Sequence, residues 1–142
     1  MLFYAWIAAA LALSVMGAIA LRSLCDPKWG AKLVRLRDDP NHPGGFAEFR
    51  ATFGGVFFAS HAAAILLIVQ YVRTERDQWG IYASGAVLVL GAAYAGAAFG
   101  RVLSMFFDKT RTPSNISSTA FEAGAALMLW APWIIGLFGP FQ

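Results

Sequence analysis

Charge is scarce in this chain. Only 13% of its 142 residues are Asp, Glu, Lys or Arg, against about 25% in an ordinary soluble domain. Cysteine is nearly absent. The single Cys25 excludes an internal disulfide and any cysteine-rich metal site. Histidine is limited to His42, in a Pro-Gly stretch, and His61, alone in an apolar run. Neither has partners at metal-ligand spacing. His61 is expected to be neutral and bonded to a nearby backbone or hydroxyl group. The chain carries no phosphate-binding loop, dinucleotide glycine fingerprint, zinc-protease helix, nucleophile elbow or paired-cysteine motif. No catalytic residue, metal or cofactor is expected, and no enzyme.

What is present is apolar. The hydrophobic fraction is 58% and the mean hydropathy +0.58, well above the roughly 45–50% apolar content of soluble domains. The net charge of +3 does not signal nucleic acid. The basic residues sit in short loops rather than in a stripe interleaved with exposed aromatics.

Four apolar stretches reach the ~20 residues that a helix needs to cross a bilayer. They run over about 2–21, 47–72, 79–107 and 116–138. The first lacks a basic leader and is too long for a signal peptide, so it reads as a span. The last two connections are short, so neighbouring spans are antiparallel. The expected fold is all-α: a single four-span membrane domain over 1–142, an antiparallel four-helix bundle.

Cations set the expected orientation. Arg22, Lys28, Lys32, Arg35, Arg37, Arg50, Arg101, Lys109 and Arg111 lie on or toward the side of the first and third loops; only Arg73 and Arg76 lie on the other. The positive-inside bias then makes loops one and three cytoplasmic and both termini external. Tyr4, Trp6, Tyr71, Trp79, Tyr82, Trp130 and Trp133 gather toward the outer ends, where amphipathic rings favour the interface.

Loop one holds a helix signal. Asp26 is a good N-cap and Pro27 suits the first helical position. Trp29, Leu33 and Leu36 then share one face, and Lys28, Lys32 and Arg35 another. That is the pattern of a short amphipathic helix on an anionic leaflet; a solvated basic loop is the rival. The run from Asp38 to Gly45 breaks any helix.

Small residues recur along the spans. Ala92, Gly96, Gly100 and Ser104 fall every four residues in the third, and Gly54-Gly55 lies in the second. Such spacing lets a second helix backbone approach closely. Packing within the chain is expected, with a homo-oligomer face as the rival. Pro132 is expected to kink the fourth span.

The intruding charges cluster at one end. Glu48 and Arg50 open the second span, Arg101 is near the end of the third and Glu122 near the start of the fourth. A charge at membrane depth costs on the order of 3 kcal/mol, so such residues pair or serve function. Arg101, Ser104 and Asp108 share one helix face at i, i+3, i+7. Arg101 and Glu122 lie level in one hairpin, each roughly 9 Å inside its helix end at 1.5 Å per residue. Glu48, Arg50, Arg101, Ser104, Asp108 and Glu122 are therefore the expected polar network. It can clamp three helices, hold an anionic headgroup or small acid on Arg50 and Arg101, or relay protons through a carboxylate.

Several of these segments resemble a known family. Glu48-Phe49-Arg50-Ala51-Thr52-Phe53-Gly54-Gly55 resembles the start of the second helix in a bacterial four-helix membrane family, domain of unknown function 4345. Gly100-Arg101-Val102-Leu103-Ser104, Pro113-Ser114 and Phe121-Glu122 resemble its later motifs. The resemblance covers roughly Ala47 to Trp133. It implies a four-helix fold in a bacterial inner membrane and no activity. The function expected is that of an accessory subunit in a larger membrane complex, its partners being lipid and other subunits or further copies of itself. A small transporter or a lipid- or anion-binding protein is the alternative.

Overall fold

The computed structural model describes residues 1–37 and 44–138. Regular structure among them is entirely helical. Helix α1 spans Leu2–Cys25 and α2 spans Pro27–Leu33. Helix α3, Gly45–Phe49, runs through a π-helical segment, Arg50–Val56, into α4, Phe57–Thr74. Helix α5 covers Asp77–Phe107 and α6 covers Pro113–Phe138. Four stretches are long and apolar enough to cross a bilayer: Leu2–Cys25, Gly45–Thr74, Asp77–Phe107 and Pro113–Gly136. This is the architecture of a helical membrane protein.

The helices run past the apolar runs because polar residues extend them. Asp77 lies in the first turn of α5, where a carboxylate meets the positive end of the helix dipole. Thr112 Oγ1 accepts a hydrogen bond from the Asn115 N–H at 3.2 Å. Thr112 thereby caps α6, which begins at Pro113 rather than at residue 116. The expected break in loop one falls mostly outside the described residues, as does His42. Gly44 (φ 130°) supplies the turn that opens α3.

Contacts divide the chain into two compact units, Met1–Ala12 with Leu67–Gln142, and Leu13–Leu66. In the first unit α5 and α6 pack as a hairpin. The buried row of α5 is Ala83, Val87, Gly91, Tyr94 and Ala98, at steps of three and four. Gly91 admits the Trp130 indole, and a Cβ there would overlap it. The same indole donates from Nε1 to the Leu88 carbonyl at 3.1 Å. Near the other end Gly80 lies under the Tyr71 ring, and Tyr71 meets Trp6 with ring centroids 5.4 Å apart.

In the second unit Gly54 makes the closest approach. A Cβ there would stand 2.6 Å from Leu24 Cα, a distance no real pair tolerates. This explains one of the two glycines expected to pack; Gly55 meets only the Arg50 carbonyl, at ordinary contact distance. The π-helical turn spans both glycines. Phe49, Phe53, Phe57 and His61 follow one another as stacked rings, with centroids 4.7, 6.0 and 6.2 Å apart. His61 is fully buried, and its Nδ1 lies 2.6 Å from the Phe57 carbonyl.

Helix α2 forms where expected. The Asp26 side chain accepts from the Trp29 N–H at 3.1 Å and Pro27 is its first residue. The extent of its faces needs correction. Arg35 has left-handed backbone (φ 61°), and the Leu36 N–H closes onto the Ala31 carbonyl at 2.8 Å. That closure ends the helix at Leu33, so Arg35 and Leu36 lie beyond it and share no helix face with Lys32 or Leu33.

Candidate functional site

The polar centre of the first unit lies where α5 turns into α6. Arg101 is in the second turn from the end of α5, and Glu122 in the third turn of α6. An antiparallel hairpin brings such positions level. Arg101 Nε donates to both Glu122 carboxylate oxygens at 2.8 Å. Arg101 Nη1 donates to Asn115 Oδ1 at 3.1 Å. Glu122 is 13% exposed and Arg101 35%, so the carboxylate is sheltered while the guanidinium reaches outward. A long cationic side chain does this by extending its head toward the interface.

The turn is tied to the pair through Asn115. Its amide Nδ2 donates to the Thr110 carbonyl at 3.2 Å and to Thr110 Oγ1 at 3.1 Å. Thr110 Oγ1 in turn shares a hydrogen bond with Ser104 Oγ at 2.9 Å. Lys109 takes left-handed backbone (φ 54°) to make the reversal. Asn115 thus accepts from a helix α5 side chain with its oxygen and donates to the turn with its nitrogen, using both ends of the amide.

Three of the six expected network members stand outside it. Glu48 and the Asp108 side chain are exposed and form no ion pair among the described residues. Arg50 belongs to the second unit, where its Nη1 donates to the Leu24 carbonyl at 3.2 Å. That carbonyl is in the last turn of α1, an end that carries partial negative charge and unpaired acceptors. Arg50 is therefore a cap on α1. Ser104, Arg101 and Glu122 fall within the hairpin network.

Asn115, Thr110 and Thr112 were missed from the sequence. A signal was available. Asn115, Thr119 and Glu122 recur at i, i+4, i+7 on α6, the counterpart of the polar row on α5. Thr119 Oγ1 donates to the Asn115 carbonyl at 2.8 Å.

The small-residue stripe of α5 also needs correction. Ala92, Gly96 and Gly100 are exposed. A Cβ at Gly96 or Gly100 would meet nothing within 4 Å. Packing inside this unit runs instead through Gly91, one residue off the stripe. Small residues recur on both faces of α5, and spacing alone does not say which face is covered.

Among the described residues no group of three or more His, Cys, Asp or Glu is close enough to hold a metal ion. The chemistry of the centre is charge neutralisation and fixation of a hairpin. The four long apolar helices and this tied hairpin define a helical membrane protein. The profile of a domain of unknown function, DUF4345, matches residues 2–132, and the chain belongs to that family. The match takes in α1 and the basic first loop as well as the three later spans. No curated protein and no solved structure matches the chain.

Proposed function

We propose that this protein is a non-enzymatic accessory subunit of a larger membrane complex. Its setting is a bacterial inner membrane, with both termini external and the first and third loops cytoplasmic. The observation that carries the reading is the open small-residue face of α5. Ala92, Gly96 and Gly100 are exposed with no neighbour over the two glycines. A helix glycine costs about 1 kcal/mol relative to alanine. Lipid gives no return on that cost, whereas a partner helix gains close backbone contact. The alternative of an anion-binding transporter is less favoured, because Arg101 already donates to Glu122 and Asn115.

The test is purification at native abundance in a mild detergent. The chain is expected to co-migrate at fixed stoichiometry with other membrane subunits. Gly96→Leu with Gly100→Leu is expected to release it while leaving it folded. Isolation as a monomer or a homodimer under all mild conditions would overturn the reading. The orientation is checked separately: an enzyme reporter active only in the cytoplasm is expected to be silent when fused to the C-terminus.

A further inference from the structure

The second unit contains a cation that is held in place and, among the described residues, has no ionic partner. Arg22 is in the last turn of α1. Asp26 and Pro27 then start α2 at once, and the turn brings Trp29 beside Arg22. The Arg22 Cζ stands 4.2 Å from the centroid of the Trp29 ring. A guanidinium over an indole face is attracted by the ring quadrupole. That contact holds the cation without spending a hydrogen-bond acceptor on it. Among the described residues Arg22 makes no salt bridge and no side-chain hydrogen bond, so its N–H donors are available. A planar fork with donors unspent fits a phosphate or carboxylate bidentately.

The surroundings select among such anions. Pro27, Gly30 and Ala31 form the buried side of α2. A Cβ at Gly30 would strike Ser23 Oγ and the Phe49 ring, so the helix is pressed onto its unit. Lys28 and Lys32, one turn apart, are exposed on one outward flank. Trp29 and Leu33 lie on the adjacent flank, and Leu33 is exposed. Asp26, which opens α2, is occupied as its cap. An apolar flank beside a basic flank suits the boundary between acyl chains and headgroups. A free inorganic anion offers nothing to the apolar flank.

We propose that Arg22, held over the Trp29 ring and flanked by Lys28 and Lys32, binds the phosphodiester of an anionic phospholipid headgroup. Arg22 provides paired hydrogen bonds to two phosphate oxygens. The lysines add charge, and Trp29 and Leu33 contact the upper acyl chain.

The test uses the full-length protein in neutral detergent micelles and isothermal titration calorimetry. The probes are dihexanoyl phosphatidylglycerol, dihexanoyl phosphatidylcholine and inorganic phosphate. Phosphatidylglycerol is expected to bind, with phosphatidylcholine and phosphate at least about tenfold weaker. Arg22→Gln is expected to weaken phosphatidylglycerol about tenfold or more, the order expected for lost charge-assisted hydrogen bonds. Trp29→Leu should weaken it as well, and Trp29→Phe should retain most of it. Arg37→Gln removes one equal charge nearby and is expected to change binding little. Equal binding of phosphatidylcholine or of phosphate alone overturns the site. So does a loss with Arg37→Gln as large as with Arg22→Gln. If Arg22→Gln does not fold, Arg22→Lys replaces it; that variant keeps the charge without the planar fork, and wild-type affinity in it overturns the proposal.

Discussion

Arg101 Nε sits 2.8 Å from both carboxylate oxygens of Glu122, a residue 21 positions away in the chain. The contact joins two helices across a turn, and Asn115 extends it into the turn itself. Each charge would be costly alone at membrane depth. Together they neutralise one another, and the partial exposure of Arg101 lowers the desolvation that a fully buried pair would meet.

Breaking this pair from one side should be worse than removing both charges. Arg101→Leu leaves the sheltered Glu122 carboxylate uncompensated and is expected to cost about 2–4 kcal/mol. Glu122→Gln, which keeps the shape, should cost about 1–3 kcal/mol. The double variant should be more stable than the sum predicts. Reversible unfolding in detergent, followed by circular dichroism, measures all four proteins. Additive losses would show that the two residues are not coupled.

The glycines of α5 should separate sharply. Gly91→Ala places a methyl group into the Trp130 indole and is expected to destabilise by about 1–3 kcal/mol. Gly96→Ala meets open space and should stabilise the isolated protein by up to about 1 kcal/mol through helix propensity. The thermal midpoints of the two variants should move in opposite directions. Similar shifts would contradict the assignment of Gly91 to the packed face.

A parallel contrast holds in the second unit. Gly54→Ala drives a Cβ into the Leu24 backbone, which cannot swing aside as a side chain can. A loss of about 2 kcal/mol or more is expected. Gly55→Ala makes only an ordinary contact with the Arg50 carbonyl and should be tolerated. Expression level and unfolding midpoint report both. A tolerated Gly54→Ala would mean that α1 and the π-helical segment are not in close contact.

Thr112 should be required as an oxygen, not as a shape. Thr112→Ala removes the acceptor for the Asn115 N–H and should cost about 1 kcal/mol. Thr112→Ser should restore most of it. Because Asn115 also holds Arg101, Thr112→Ala should speed hydrogen exchange at the start of α6 before it affects the far end. Unchanged exchange at Asn115 and Ile116 would argue against the cap.

The fold class was legible because it rests on one-dimensional quantities. Length, hydropathy and the ~20-residue requirement of the bilayer are all properties of the chain, and they place the four long helices of the structure. Asp26-Pro27 marked the start of α2 for the same reason, since a cap and its helix are neighbours in sequence. The Arg101–Glu122 pair was legible because a short turn fixes the depth of both partners.

Facing was not legible in the same way. Spacing on α5 pointed to Ala92, Gly96 and Gly100, and only the placement of Trp130 over Gly91 showed where the helix packs within its unit. Arg50 shared a sequence neighbourhood with Glu48 and an expected depth with Arg101, yet its partner is the carbonyl at the end of α1. The contact of Arg22 with the Trp29 ring depends on the turn between α1 and α2, which composition does not encode. The sequence by itself determined which segments leave water, because transfer free energy sums along a chain. Tertiary structure alone decided which side chain meets which, because hydrogen bonds and van der Waals contacts depend on positions in three dimensions.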